Sequence, residues 1–358
     1  MAKEQEAVVL VKKGKLEFQK KPVPEITDPH YVKVQVKATG ICGSDIHFYK
    51  EGAIGPFIVK SPMVMGHESS GIVVEIGEAV TKVQVGDHVA IEPGVPSRYS
   101  KETKAGHYNL CPEMKFAATP SVDGTLVKYY TSPEDFVHKV SKDVPFEENA
   151  LLEPLSVAVH ANRLAGTKFN DTVVIMGAGP IGLVCGQVAR SFGATTVIYV
   201  DRNDFKLDVA TKSFGATHTI NSNKLNPAST VPDEITKVLG PKKGVNIVLE
   251  CTGAAACVES GIQALVAGGT FVVVGMGGDS IPVPMNLISM REITIKGCFR
   301  YYEGDYDIAI ALLTEGKITL KPLITSIYNF EDAIKGYEAQ LDKTQMQKNI
   351  KTVILGPQ

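Results

Sequence analysis

Several things are scarce in this chain of 358 residues. Acidic and basic side chains nearly cancel, leaving a formal net charge of −2, and no block of like charge stands out. That excludes the basic footprint of a nucleic-acid binder or of a protein drawn to an anionic membrane surface. Long hydrophobic runs are missing too. The apolar stretches are short and bounded by glycine, far below the roughly 20 residues a membrane-spanning helix needs. The first residues, MAKEQEAVVL, are charged from residue 3 and lack the apolar core of a secretory signal, so the expected location is cytoplasmic. Cysteine is sparse, with six residues at 42, 111, 185, 251, 257 and 298. Their wide spacing argues against a disulfide framework and for free thiols or metal ligands in a reducing compartment. There is no internal repeat and no low-complexity segment.

What is present is ordinary globular material, 44% hydrophobic and 21% charged, of a length that suits about two domains. Residues 1 to 155 hold short β-like runs between glycines and prolines: 7–11, 31–40, 69–77 and 87–94. The alternation in VKVQVKA and IVVEI has the period of half-buried strands. From residue 156 the pattern changes. TVVIM (172–176) reads as a strand buried on both faces. A helix-length segment (181–194), a strand (195–201), a helix (204–214), a strand (245–253), a helical stretch (261–269) and a strand (270–277) follow. Such alternation means βαβ units and a parallel sheet. Beyond 297 the pattern predicts helices over 305–315 and 331–341 and strands over 322–330 and 350–355. The fold class is therefore α/β, with a β-rich part and a doubly wound parallel-sheet part.

Gly177-Ala178-Gly179-Pro180-Ile181-Gly182 is a G-x-G-x-x-G, weak alone but strengthened by its place between a strand and a helix. The first glycine makes the tight turn, the second lets backbone approach a pyrophosphate, and the third lets helix and strand pack. Asp201 ends the next strand, 19 residues after Gly182. It suits the adenosine ribose hydroxyls and would repel a 2′-phosphate, which favours NAD over NADP. Arg202 complicates this, since it could stack on adenine or meet a 2′-phosphate. Lys206 is either a ribose contact or an ordinary solvated lysine.

Cys42, His67 and Glu68 are all competent zinc ligands, and Glu153 is a further carboxylate at the junction of the two halves. By chemistry alone they read equally as a catalytic metal site or as a buried thiol with surface acids. Cys185, Cys251 and Cys257 read as core thiols.

The segments GICGSDIH, GHESSGIV, VGDHVAIEPG, EPLSVAVHA and GAGPIG, in this order, resemble the zinc-containing medium-chain dehydrogenases. FRYYEGDY, YNLCPEMKFAATP and GTLVKYY make the resemblance closest to the polyol group of sorbitol and xylitol dehydrogenases. It runs over nearly the whole chain. It implies a GroES-like catalytic domain from 1–155 and 297–358 with a Rossmann domain, 156–296, inserted into it. It assigns zinc ligation to Cys42, His67 and Glu68, with Glu153 either a fourth ligand or the holder of the zinc water. Ser44, His47 and Glu153 become candidates for proton transfer, although His47 also fits a turn-capping histidine. Arg300 and Tyr301, with Glu153, take substrate positions. Phe48 stands where mammalian sorbitol dehydrogenases have a tyrosine, which leaves pocket polarity open. Cofactor positions map to Gly177, Gly179, Ile181, Gly182, Asp201, Arg202, Lys206, Val274, Gly275, Met276, Cys298, Phe299 and Arg300.

Many relatives carry a second, structural zinc on four cysteines spaced by two, two and seven residues. Here the first three places hold Ser97, Ser100 and Thr103, and only Cys111 remains. One cysteine cannot hold that ion. The expectation is one catalytic zinc per subunit and no structural zinc, in a homotetramer or homodimer. The expected reaction is oxidation of xylitol to D-xylulose with NAD. Sorbitol, L-iditol or L-arabinitol are alternatives. A threonine or simple-alcohol dehydrogenase, and a catalytically silent NAD-binding protein, are the competing readings.

Overall fold

The computed structural model describes residues 3–240 and 244–357. The chain forms two compact units. One comprises Met1–Glu153, Tyr302–Thr314 and Ile324–Gln358; the other comprises Pro154–Tyr301 and Glu315–Leu323. No helix among the described residues is long and apolar enough to cross a membrane.

The first unit is built on a seven-stranded sheet. Its hub is Tyr31–Gly40, where Val32, Val34, Val36 and Ala38 are buried while the residues between them are half-buried, as the period-two pattern requires. This strand pairs antiparallel with Glu68–Ile76 along its length, with Tyr129–Pro133 along its first half and with Lys351–Leu355 along its second half. The register sets Gly40 opposite both Glu68 and Val353. Three segments far apart in sequence therefore meet at the end of one strand. A helix, Gly43–Glu51, starts there with Cys42 as its N-cap, and the Asp45 carboxylate accepts from the Cys42 backbone N–H at 3.0 Å. The pattern reading does not contain this helix, whose nine residues carry only two buried apolar side chains, Phe48 and Tyr49. Beneath the site, Ile41, Phe48, Met63, Met65, Leu126, Tyr337 and Ile354 form a core cluster.

The second unit carries a six-stranded sheet, whose strands and helices are numbered here within that unit. They are β1 (Thr172–Met176), α1 (Pro180–Ser191), β2 (Thr196–Asp201), α2 (Asp204–Ser213), β3 (His218–Asn221), α3 (Val231–Leu239), β4 (Val245–Glu250), α4 (Ala255–Ala264), β5 (Leu265–Val273) and β6 (Thr294–Gly297). The order is 3-2-1-4-5-6, with every pairing parallel. This is the doubly wound dinucleotide-binding topology, whose ligands lie beyond the carboxyl ends of the strands. All five residues of β1 are buried, as a strand covered on both faces demands.

Several stretches differ from the pattern, and strand β3 is one it does not contain. The helix expected over 261–269 lies earlier, as α4, and the strand expected over 270–277 begins at Leu265 and ends at Val273. LVAGGTFVVV is one apolar run, and periodicity alone does not locate a helix-to-strand boundary inside it. Helix α3 was not expected at all. Its signal is local: Thr230 Oγ1 accepts from the Asp233 N–H at 3.3 Å, and the Asp233 carboxylate accepts from the Thr230 N–H at 2.8 Å, a capping box.

Candidate metal centre and nucleotide loop

The strand register brings three of the expected ligands together. The donor atoms of Cys42, His67 and Glu68 lie within 4.8 Å of one another, with His67 and Glu68 buried and Cys42 half-buried. Donors this close come within reach of one zinc ion, at bond lengths of roughly 2.0–2.3 Å, after small side-chain movements. His67 Nδ1 lies 3.3 Å from Asp45 Oδ1, and Asp45 is fully buried. The carboxylate thus stands directly behind that ring nitrogen. Burial opposes a charged imidazole here, but Asp45 and Cys42 outweigh it and hold the His67 pKa well above its ordinary value. The surroundings thus favour a cation at this spot, whether a proton or a metal.

Glu68 has its own partner. Lys351 Nζ lies 2.6 Å from Oε1 and 2.5 Å from Oε2, and both side chains are buried. Burial works against the ammonium, yet the charges of Glu68, Cys42 and Glu153 hold its pKa above the ordinary lysine value. Gly40 leaves room for this pair, since a Cβ there would stand 2.2 Å from Glu68 Oε2. Glu153 is buried and lies outside the close trio, near enough to act on Lys351. Ser44 is half-buried and His47 exposed on the first turns of the Gly43–Glu51 helix. Phe48, on the same helix, packs into the core cluster.

Asp45 and Lys351 were not singled out from sequence. Each left a trace: an acid at the third helical position after a potential N-cap, and a lone lysine inside the apolar strand KTVIL. A lysine in such a place is seldom buried without a partner.

In the second unit the glycines divide their work as the motif demands. Gly177 has φ 96°, open to glycine, and a Cβ on it would lie 2.6 Å from Thr252 Cγ2. A Cβ on Gly182 would lie 1.9 Å from Gly177 O, so it must be glycine for α1 to pack. Gly179, the N-cap of α1, has nothing within 4 Å of such a Cβ. The open space at a helix N-terminus is a cradle for a phosphate group. Asp201 borders it: its carboxylate accepts from the backbone N–H groups of Ala178 at 2.7 Å, Arg202 at 2.7 Å and Asn203 at 2.9 Å. Ile181 and Lys206 are half-buried and Arg202 is exposed. Val274 and Gly275 donate to Glu250 O at 2.8 and 2.7 Å, and Cys298 donates to Val273 O at 2.9 Å. Met276 and Phe299 are exposed; the Arg300 guanidinium lies 4.6 Å over the Phe299 ring, and Tyr301 is buried.

Ser97, Ser100, Thr103 and Cys111, the places that the resemblance sets against a four-cysteine site, also converge. Cys111 Sγ accepts from the Ser97 N–H at 3.3 Å, the Ser100 hydroxyl donates to Thr103 Oγ1 at 3.0 Å, and Ser100 Oγ caps the Lys101–Lys104 helix by accepting from the Thr103 N–H at 3.2 Å. Burial would raise the Cys111 thiol, but hydrogen bonds from Ser100, Ser97, Glu113 and Thr103 lower its pKa.

Comparison with known proteins gives the family. The profile of the alcohol dehydrogenase GroES-like domain matches residues 28–142, and that of the zinc-binding dehydrogenases matches residues 180–315. The chain is 54% identical to sorbitol dehydrogenase 1 of Saccharomyces cerevisiae, over 98% of each chain. The chain belongs to the zinc-binding dehydrogenases. It is 52% identical to the D-xylulose reductase of the same yeast, over 99% of this chain and 98% of that one. The solved structure of L-idonate 5-dehydrogenase from Escherichia coli superposes with a TM-score of 0.89 at 28% identity, over 99% of each chain. In this zinc-binding dehydrogenase the β-rich unit is the GroES-like part and the six-stranded sheet is the Rossmann part.

Proposed function

We propose that this dehydrogenase oxidises a secondary alcohol of a sugar alcohol, with xylitol to D-xylulose as the leading reaction and NAD as hydride acceptor. The observation that carries the reading is the close Cys42–His67–Glu68 trio, two of its members buried, in a chain so similar to enzymes named for sorbitol and D-xylulose. The thiol, imidazole and carboxylate suit one catalytic zinc, with Asp45 orienting His67 and Lys351 holding Glu68. Zinc in such a centre supplies Lewis acidity toward an alcohol oxygen, and the nicotinamide supplies the hydride acceptor.

The chain's own residues do the rest. In this reading Ser44 takes the alcohol proton and the exposed His47 releases it to solvent, with Glu153 as the alternative carrier or a fourth ligand. Arg300 and Tyr301 are the proposed polyol contacts, and Phe48 shapes the pocket from the core. Gly177, Gly179 and Gly182 receive the pyrophosphate, and Asp201 receives the ribose hydroxyls and discourages a 2′-phosphate. Ile181, Arg202, Lys206, Val274–Met276 and Cys298–Arg300 complete the proposed cofactor surface. We further propose cytoplasmic location, a single zinc per subunit, and a homo-oligomer. The exposed edge strand β6, with Ile295 and the nearby exposed Met285 and Met290, supports self-association.

Steady-state rates with xylitol, sorbitol, L-arabinitol, threonine and ethanol, each with NAD and NADP, test the reading alongside metal content. Fastest turnover on xylitol with NAD at about one zinc per chain supports it. Preference for sorbitol or L-arabinitol keeps the class and changes the substrate. Zinc without polyol turnover moves the assignment to another alcohol, and neither zinc nor turnover leaves a silent binding protein.

A further inference from the structure

The Rossmann unit holds a buried carboxylate that the proposed chemistry does not use. Glu250, the last residue of β4, is fully buried. Among the described residues no lysine or arginine pairs with it. Its charge is met by the turn that follows. Oε1 accepts from the Thr252 N–H at 2.7 Å, from the Thr252 hydroxyl, and from the Gly253 N–H at 3.1 Å; Oε2 accepts from the Gly253 N–H at 3.0 Å. Thr252 Oγ1 in turn accepts from the Ala254 N–H at 3.0 Å. A carboxylate satisfied by successive backbone N–H groups fixes the path of that backbone.

The turn so fixed is wedged between two others. On one side, Cys251 N donates to Met176 O at 2.9 Å, and Thr252 Cγ2 fills the space beside Gly177. On the other side, the Glu250 carbonyl accepts from Val274 and Gly275. A Cβ on Gly275 would stand 2.4 Å from Gly253 N, and one on Gly277 would stand 2.0 Å from Gly253 O. Gly253 itself has φ 70° and could carry no side chain, because Met276 O lies 2.2 Å from where its Cβ would be. The three turns that follow β1, β4 and β5 are thus interlocked backbone to backbone, and Glu250 is the group that bonds to both its own turn and the next.

We propose that Glu250 is a positioning residue for the dinucleotide: through Thr252 and Gly253 it sets the spacing between the Gly177 phosphate turn and the Val274–Met276 turn. This rests on the dinucleotide reading of those turns. A pure fold brace would lower stability and leave cofactor affinity alone; a positioning residue changes affinity in the folded enzyme.

The test uses the zinc-loaded full chain, with NADH and NADPH titrated by their own fluorescence, which the absence of tryptophan leaves uncluttered. In E250Q one acceptor becomes a donor facing backbone N–H groups. NADH affinity is expected to fall about ten- to a hundredfold. The KM for NAD should rise in step, while the KM for xylitol at saturating NAD stays unchanged. T252V removes only the hydroxyl rung and should weaken NADH binding by a smaller factor of the same sign. Wild-type affinity in a folded E250Q, even with a lowered Tm, overturns the proposal. If E250Q does not fold, T252V decides, and wild-type affinity there overturns it equally. A wild-type enzyme that binds neither dinucleotide overturns the cofactor reading itself, and this inference with it.

Discussion

Two parts of the GroES-like unit occupy places where zinc-binding dehydrogenases can carry zinc, and they are built on opposite plans. At Cys42, His67 and Glu68 the donors are formally charged or chargeable, and their outer partners are charged too: Asp45 behind the imidazole and Lys351 behind the carboxylate. In the Ser97–Cys111 lobe the hydroxyls satisfy each other, cap a short helix and shelter one thiol. The first arrangement leaves buried charge that a cation completes. The second is held by hydrogen bonds among hydroxyls, backbone and one thiol, and we propose that it takes no metal. Donor types alone would not reveal this; the partners behind the donors do.

The comparison breaks most severely at the ligands. Cys42→Ser should empty the metal centre and abolish turnover while NADH binding persists, because the nucleotide turns lie on the other unit. Loss of NADH binding as well would undermine that division. Asp45→Asn, which keeps the shape but not the charge behind His67, should weaken zinc retention about 10- to 100-fold, read by competition with a chelator. Lys351→Met acts on stability instead. It strands the buried Glu68 carboxylate, so the zinc-stripped protein should lose about 3–5 kcal/mol. The zinc-loaded protein should lose clearly less, since the metal then meets the charge. Equal losses in chelator-treated and zinc-loaded samples, measured by denaturant unfolding, would mean that Lys351 and the metal do not share Glu68.

Much of this was legible before the structure. The buried run TVVIM became β1 residue for residue, and the glycine turn with Asp201 fell where a parallel sheet places a nucleotide. The proposed ligand trio was legible as residue types, and the resemblance named it. Its assembly was not, because it depends on register: Gly40 opposite Glu68 and Val353 is a long-range pairing that no local pattern carries. Lys351 and Glu250 stayed hidden for a related reason. A charged residue in an apolar strand declares its burial only when its partner, 283 residues away for Lys351 or two backbone N–H groups for Glu250, is in view. Helix α3 is a different case, since its capping box, Thr230 with Asp233, is written in the local sequence.

The lobe sharpens the comparison from the other side. Introducing S97C, S100C and T103C together with the existing Cys111 restores the spacing of a four-thiolate site. If the lobe keeps the backbone course of its two-zinc relatives, the variant should take up a second zinc and gain about 2.7 kcal/mol at a free-zinc level a hundredfold above its Kd. Unchanged zinc content would show that loss of the thiols was accompanied by a change in the lobe's path. The smallest effect is expected from Cys111→Ala in the natural background. It removes the acceptor of the Ser97 N–H at a buried position, and a lost buried hydrogen bond of this weak kind costs about 1 kcal/mol. Zinc content and turnover should stay at the wild-type level, because nothing in the Cys42 centre depends on that thiol. A variant that loses zinc along with Cys111 would place metal in the lobe after all, and the contrast between a charged centre and a hydrogen-bonded one would no longer describe this enzyme.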